Sequence, residues 1–265
     1  MEKIISAANN KIKLAASLHL RKNRDKLGLF VAEGIRLAEM ASSSGWGMEF
    51  ALVTAEAAKE ERAAAIIKDL EARACPVYET SKEIYQKAAD TTTPQGLLIV
   101  MKKQTAGLND LCEKTQFLTV LDGIQDAGNA GSIIRTADAV GCSGIVLLKG
   151  CVDVFADKTV RSAMGSLFHL PIIDNISATD FLIYCQTNDI TIYSAALDRQ
   201  AESCFVQSYT NKNALVFGNE GNGISQEILD KTKHIYIPMT GGTESLNVAA
   251  AAAVVLYQVY QSQQA

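Results

Sequence analysis

The apolar positions of the chain fall into short continuous runs that alternate with stretches of helical period. Residues 11–24 place Ile12, Leu14, Ala15, Leu18 and Leu20 at roughly the spacing of one amphipathic helix, with basic residues between them. LFVAEGIRLAEMA follows as an apolar run, Glu33-Gly34 and a second helix. Strand EFALVT, helix AEAAKEERAAAIIKDLEARA, strand CPVYE, helix SKEIYQKAA, turn TTTPQG and strand GLLIVMKK come next. Such alternation predicts an α/β layer fold. Residues 106–114 are polar and punctuated, which predicts a linker between a smaller α/β domain at 1–105 and a larger one at 115–265.

The larger region opens with strand FLTVLD, loop GIQDAGNAG, helix SIIRTADAV closed by Gly141, and strand GIVLLK, a βαβ unit. A helix containing TVRSAMGSL, a strand near HLPII, a helix around TDFLIYCQTN and strand ITIYSAA lead to LVFGNEGNGIS, IYIPM and a small-residue helix beginning SLNVAAAAA. Near-continuous apolar strands with helical crossovers predict a parallel sheet covered on both faces. Ligands of such sheets bind beyond the carboxyl ends of the strands.

Composition narrows the class. A chain of 265 residues with 48% hydrophobic content has ample material for a core. Its six cysteines, at 75, 112, 142, 151, 185 and 204, form no CxxC pair and no cluster with histidine. They predict buried thiols in a reduced intracellular protein and no metal site. No signal-like apolar region and no run of about 18 apolar residues is present, so a soluble, cytoplasmic protein is expected. The formal net charge of −4 speaks against a general nucleic-acid binder. The average conceals an asymmetry: residues 1–30 hold seven basic and two acidic side chains, a balance of +5 that leaves −9 elsewhere. That end is either a polyanion contact or simply a solvated helix face.

The glycine loops exclude two nucleotide fingerprints. Gly123 and Gly128 fit the first half of a P-loop, but Asn129 and Ala130 stand where Lys and Ser/Thr are needed. Gly221 and Gly223 begin a GxGxxG that ends on Gln226. The remaining chemistry is scattered. Asn129 stands at a predicted helix start, where capping is its plain explanation, and Arg135 projects from a side of that helix away from the Ile133, Ala137 and Val140 stripe. Glu220 sits between glycines at a strand end, where backbone without Cβ atoms can approach a ligand. Ser245 reads as an N-cap and Asn247 as a first-turn residue that capping alone would not select. Singly these are an ordinary cap, a surface arginine and a turn carboxylate.

In sequence order, however, NAGSIIRTADAVG, LVFGNEGNGIS and IPMTGGTESLNVAAAAAVVLYQ closely resemble the three motifs of the SpoU (TrmH-like) RNA ribose 2′-O-methyltransferases of the SPOUT class. NNKIKLAASLHLRKNR, FVAEGIRLAEMA and TPQGLLIV resemble the small RNA-substrate-binding domain of many members, so the likeness spans essentially the whole chain. It implies a C-terminal parallel α/β SPOUT domain with a deep trefoil knot. It also implies S-adenosylmethionine bound by backbone groups at Gly218, Ile237 and Leu246, and a homodimer with motif helices at its interface. Arg135 matches the arginine proposed to activate the ribose hydroxyl. A guanidinium with a pKa above about 12 is a reluctant base, so anchoring the target phosphate and stabilising alkoxide charge suits it better. Asn129, Glu220, Ser245 and Asn247 would orient the groups around it, with Glu220 an alternative proton acceptor. Arg161 and Ser162 resemble a family helix near the active site. Lys11, Lys13, Arg21, Lys22 and Arg24 become candidate RNA-phosphate contacts. Ribosomal RNA is favoured over transfer RNA because of the added domain. A catalytically silent RNA-binding factor is the rival from another class, and a nicotinamide oxidoreductase the weakest option.

Overall fold

The computed structural model describes residues 1–111, 117–198 and 201–264. They form two compact units: residues 1–104 with 155–168, and residues 105–154 with 169–265.

The N-terminal unit holds a five-stranded mixed sheet in the order β1-β4-β3-β5-β2. Its strands are β1 (Glu2–Ile4), β2 (Leu29–Glu33), β3 (Met48–Thr54), β4 (Val77–Thr80) and β5 (Leu97–Lys102). Helices α3 (Ile35–Ser43), α4 (Glu61–Ala72) and α5 (Lys82–Gln86) connect them, as the alternation predicts. The single helix expected over residues 11–24 is instead two, α1 (Asn10–Ser17) and α2 (Arg21–Leu27). The break has a side-chain cause: Asn23 donates to the Ser17 carbonyl at 2.9 Å and Arg24 to the Leu18 carbonyl at 2.7 Å, taking acceptors that a continuous helix would use. Ile12, Ala15 and Leu18 still face the sheet and join Phe50, Leu52 and Tyr85 in one buried cluster.

A further helix, α7 (Asp157–Ala163), belongs to this unit although it lies among the C-terminal strands in sequence. Phe155 and Phe168, which flank it, close an aromatic cluster with Phe30 and Trp46 at centroid separations of 5.1–6.4 Å. Its His19 and Arg161 contacts are charged: His19 Nδ1 meets Asp157 at 3.1 Å, and Arg161 meets Asp90 at 2.8 Å.

The C-terminal unit holds a seven-stranded sheet in the order β10-β12-β9-β11-β6-β7-β8, and every pairing in it is parallel. Its strands are β6 (Phe117–Asp122), β7 (Gly144–Leu148), β8 (Ile172–Ile176), β9 (Thr191–Ala195), β10 (Glu202–Ser203), β11 (Asn213–Gly218) and β12 (Lys233–Tyr236). Leu118, Val120, Val146, Ala214 and Val216 from its central strands pack with Phe181 and Cys185 of α8 (Ala178–Thr187) and Ile228 of α9 (Gln226–Leu229). The C-terminal α10 (Val248–Gln264) packs on β11 and on α6 (Ala127–Ala139). The stretch expected to be a linker begins with ordered contacts, since Ala106 donates to the Ile172 carbonyl at 2.8 Å and Leu111 packs in the core. Its residues 112–114 lie outside the described ones. Among the described residues no helix is long and apolar enough to cross a membrane.

Cys75, Cys142, Cys151, Cys185 and Cys204 are free thiols, and Cys112 lies outside the described residues. Burial pushes Cys142 and Cys185 up to about 12 and Cys151 up to about 11, so these are protonated packing residues rather than nucleophiles.

Candidate active site

The carboxyl ends of β6, β11 and β12 lead into most of the motif residues singled out by sequence. β11 turns back immediately: Asn219 and Gly223 exchange backbone hydrogen bonds of 2.9 Å each. Asn219 Oδ1 accepts from the N–H groups of Gly221 and Asn222 at 2.8 and 3.0 Å, and its amide donates to the Gly123 carbonyl at 2.8 Å, tying this loop to the end of β6. A Cβ on Gly218 would lie 2.3 Å from the Gly223 backbone, so the turn excludes every other residue there. Glu220 is thereby presented at the tip of a rigid loop.

Asn129 approaches from the other side. Helix α6 starts earlier than the glycine-rich AGNAG text suggests, and its cap is Asp126, which accepts from the Asn129 N–H at 2.8 Å. Asn129 therefore stands within the first turn and its side chain is spent elsewhere: Nδ2 donates to Glu220 Oε1 at 2.7 Å. Its Oδ1 accepts from Asn247 Nδ2 at 3.1 Å. Asn247, rather than Ser245, caps α10, accepting from Ala249 and Ala250 N–H at 3.0 and 3.4 Å. Ser245 lies two residues earlier, where its carbonyl accepts from the Thr243 hydroxyl. The three motifs thus converge in a directed chain, Asn247 to Asn129 to Glu220. An ionised carboxylate only accepts, so Glu220 is its terminus.

The loop, β12 and the start of α10 enclose a cavity of about 660 Å³, within the range of small-molecule sites. Gly218, Ile237 and Leu246 line it, with Glu220, Ser245 and Asn247 at its polar side and Phe217, Ile235 and Val255 among its apolar walls. Its described lining includes two carboxylates, Glu220 and Asp198. Asp198 follows β9 and is bonded to His234 of β12. A larger polar depression of about 890 Å³ beside it shares Asp198 and Leu229 but contains none of the motif residues.

Arg135 is not gathered into this cavity. It is exposed on α6, six residues after Asn129 and so about 120° around the helix axis from it. The basic candidates also divide. Lys13, Arg21 and Lys22 are exposed, with Arg21 near Asp25 at 3.5 Å. Lys11 lies over the Phe50 ring, 4.8 Å from its centroid. Arg24 is corrected outright: it is 3% exposed and bonded to the Leu18 carbonyl, a structural group rather than a phosphate contact. Arg161 and Ser162 sit on α7 in the N-terminal unit, where the Arg161 guanidinium pairs with Asp90.

Two functional candidates escaped the sequence. Asn219 looked like one more polar turn residue, although an Asn immediately before a glycine-rich turn is a signal for side-chain bracing of that turn. Asp198 and His234 are 36 residues apart and carry no shared motif.

The chain resembles known proteins in sequence and in fold. The SpoU rRNA Methylase family matches residues 116–257, and the MRM3-like substrate binding domain matches residues 9–99. The chain is 35% identical to the 23S rRNA (guanosine(2553)-2′-O)-methyltransferase RlmP of Bacillus subtilis (strain 168), over 98% of this chain and 99% of that one. It is 28% identical to the 23S rRNA (uridine(2479)-2′-O)-methyltransferase of Streptomyces viridochromogenes, over 92% and 86%. Among solved structures, the AdoMet-bound rRNA methyltransferase from Sinorhizobium meliloti superposes with a TM-score of 0.88 at 27% identity, covering 98% of this chain and 97% of that one.

Proposed function

The chain belongs to the SpoU rRNA methylase family, and from that premise we propose that it transfers a methyl group from S-adenosylmethionine to a ribose 2′-hydroxyl of ribosomal RNA. The observation that carries this reading is the Asn247–Asn129–Glu220 chain at the polar side of the cavity. The cavity suits the cofactor chemically, since its apolar walls fit an adenine and the Glu220 carboxylate at its polar side suits a cation. Gly218, Ile237 and Leu246 hold the cofactor, which supplies an activated methyl group on a sulfonium.

The protein's own groups deal with the hydroxyl. Glu220, fixed by Asn129, accepts the hydroxyl's hydrogen bond and then its proton. Asn247 sets the orientation of Asn129, and Ser245 lines the same side of the cavity. Arg135, permanently charged, holds the target phosphate and stabilises the developing alkoxide. Because it does not line the cavity of its own chain, a homodimer packed through its motif helices is the route by which a partner's arginine reaches the ribose. The exposed Tyr257 and Tyr260 on α10 support such a contact. The trefoil knot belongs to the same reading: β12 lies outside β9, yet the chain after it returns to place α10 on β11 and α6. Lys13, Arg21 and Lys22 contact RNA phosphates, with Lys11 contributing charge at their edge. The protein acts in the cytoplasm on ribosomal rather than transfer RNA, in keeping with relatives named for 23S rRNA.

The test is incubation of the purified protein with methyl-labelled cofactor and unmodified 23S rRNA or tRNA. Label on a ribose of 23S rRNA, at a linkage resistant to alkali, is expected, and Arg135→Ala should abolish it. Label on a base, on tRNA alone, or nowhere would overturn the proposal.

A further inference from the structure

Strands β6 and β11 pair in parallel along their whole length, with Asp122 opposite Gly218 in the last register position. Beyond that point the two chains part, one into the turn that leads to α6 and Asn129, the other into the loop that carries Glu220. The Asn129–Glu220 bond of 2.7 Å is solvent-exposed, and such a bond holds little unless the backbones beneath it are already placed. Two further bonds place them. One residue before Glu220, the Asn219 amide donates to the Gly123 carbonyl at 2.8 Å; five residues after it, the Ser225 N–H donates to Asp122 Oδ2 at 2.7 Å. Asp122 and Gly123 adjoin at the end of β6, so the loop is pinned on both sides of its carboxylate to the strand end from which the Asn129 turn also departs. Asp122 is 8% exposed, which keeps water from competing for its oxygen. Asn219 Oδ1 meanwhile gathers the Gly221 and Asn222 N–H groups, so one side chain both shapes the turn and anchors it.

We propose that Asp122 and Asn219 are positioning residues for methyl transfer, a two-point clamp that sets the Glu220 carboxylate against Asn129 before RNA arrives. The inference rests on the methyltransferase reading above. In that reaction the ribose oxygen bonds to the methyl carbon, the C–S bond breaks with its electron pair left on sulfur, and the hydroxyl proton passes to Glu220. Neither clamp residue handles the proton. An acceptor takes it only from within hydrogen-bond reach, about 2.6–3.2 Å. A loop free at either end carries Glu220 out of that reach, and a misplacement of about 1 Å costs about 100-fold in rate. The cavity walls are held otherwise: Phe217 and Ile235 lie in strands and Val255 in α10, so a loosened loop leaves much of the cofactor's apolar surface in place. Proton transfer therefore depends on the clamp far more than cofactor binding does.

Single-turnover methylation of unmodified 23S rRNA at saturating S-adenosylmethionine tests the clamp, with cofactor affinity and thermal midpoint measured on the same full-length proteins. Asp122→Ala and Asn219→Ala should each slow methyl transfer about 10- to 100-fold, while cofactor affinity changes less than about threefold. Asp122→Asn, which keeps an oxygen for the Ser225 N–H, should recover most of the rate. In a Glu220→Ala background, Asn219→Ala should cost less than about twofold, because its effect runs through a carboxylate already lost. Losses of the same size in both backgrounds, or a loss confined to cofactor affinity, overturn the positioning role. An Asp122→Asn protein as slow as Asp122→Ala overturns the part given to the Ser225 bond. Should Asp122→Ala not fold, the Asn219→Ala pair decides, and a wild-type rate in Asn219→Ala overturns the clamp. No label from the wild type overturns the methyltransferase reading along with the inference, whereas a labelled ribose with unaffected variants overturns the inference alone.

Discussion

The motif cluster of the C-terminal unit and the basic helices of the N-terminal unit both present charged and amide side chains, but they use them in opposite ways. Asn129, Glu220 and Asn247 are bonded to one another across 91 and 118 residues of sequence, so each fixes the geometry of the next. The five basic candidates on α1 and α2 show no such mutual bonding among the described contacts: two are simply exposed, one leans on an aromatic ring, one pairs weakly with its own helix, and one is buried. Order and spacing identify a site whose members constrain each other, whereas counting charge identifies only a neighbourhood.

The contrast is broken most severely at Glu220. Glu220→Ala should reduce turnover by about 100-fold or more, and Asn129→Ala added to it should cost little further, because residues acting as a unit are not additive. Single-turnover methylation by the three variants checks this, and additive losses would dissolve the cluster into independent groups. In the basic region the expected effects separate by burial. Arg24→Ala should destabilise the fold by about 2–3 kcal/mol, read by denaturant unfolding, through the carbonyl it leaves unbonded. Lys13→Ala with Lys22→Ala should leave stability unchanged, weaken RNA binding several-fold and reduce its salt slope by about two. An Arg24 variant that is stable but weak in RNA binding would restore it as a phosphate contact.

The smallest effect concerns His19. Its pKa is raised from the ordinary 6.5, chiefly by the hydrogen bond to Asp157, with burial opposing. A raised folded-state value means that protonation stabilises the fold. The contribution is complete below the unfolded value and is lost as pH rises through the folded one. The difference in thermal midpoint between wild type and His19→Gln should therefore shrink as pH is raised above the ordinary histidine value of 6.5. A difference that grows over that range would show that the pair acts otherwise.

Much of the C-terminal fold was legible because its buried parallel strands are continuous apolar runs bounded by glycine, as in FLTVLD and GIVLLK. Where reading failed, short-range side-chain bonds to the backbone had overridden intrinsic propensity. The AGNAG text looks like a loop because Gly and Asn are poor helix formers, yet Asp126 caps it into the first turn of α6. The break between α1 and α2 depends on where Asn23 and Arg24 point, which no periodicity records. β1 and β10, of three and two residues, are too short to show alternation. Glu220 and the asparagines were found through their motifs, but their bonding was not. Asp198 gave no signal because its partner arrives from another strand.

The excursion of residues 155–168 bears on how the protein is made. Phe155 and Phe168 complete the aromatic cluster around Phe30 and Trp46, and Gly165 leaves room for Met40, whose sulfur would lie 2.3 Å from any Cβ there. On a ribosome these pieces emerge more than fifty residues after the last strand of the sheet they cover. The nascent N-terminal unit therefore waits with an open hydrophobic face until the first third of the next unit has been translated, and the two halves are coupled in biogenesis before they are coupled in function.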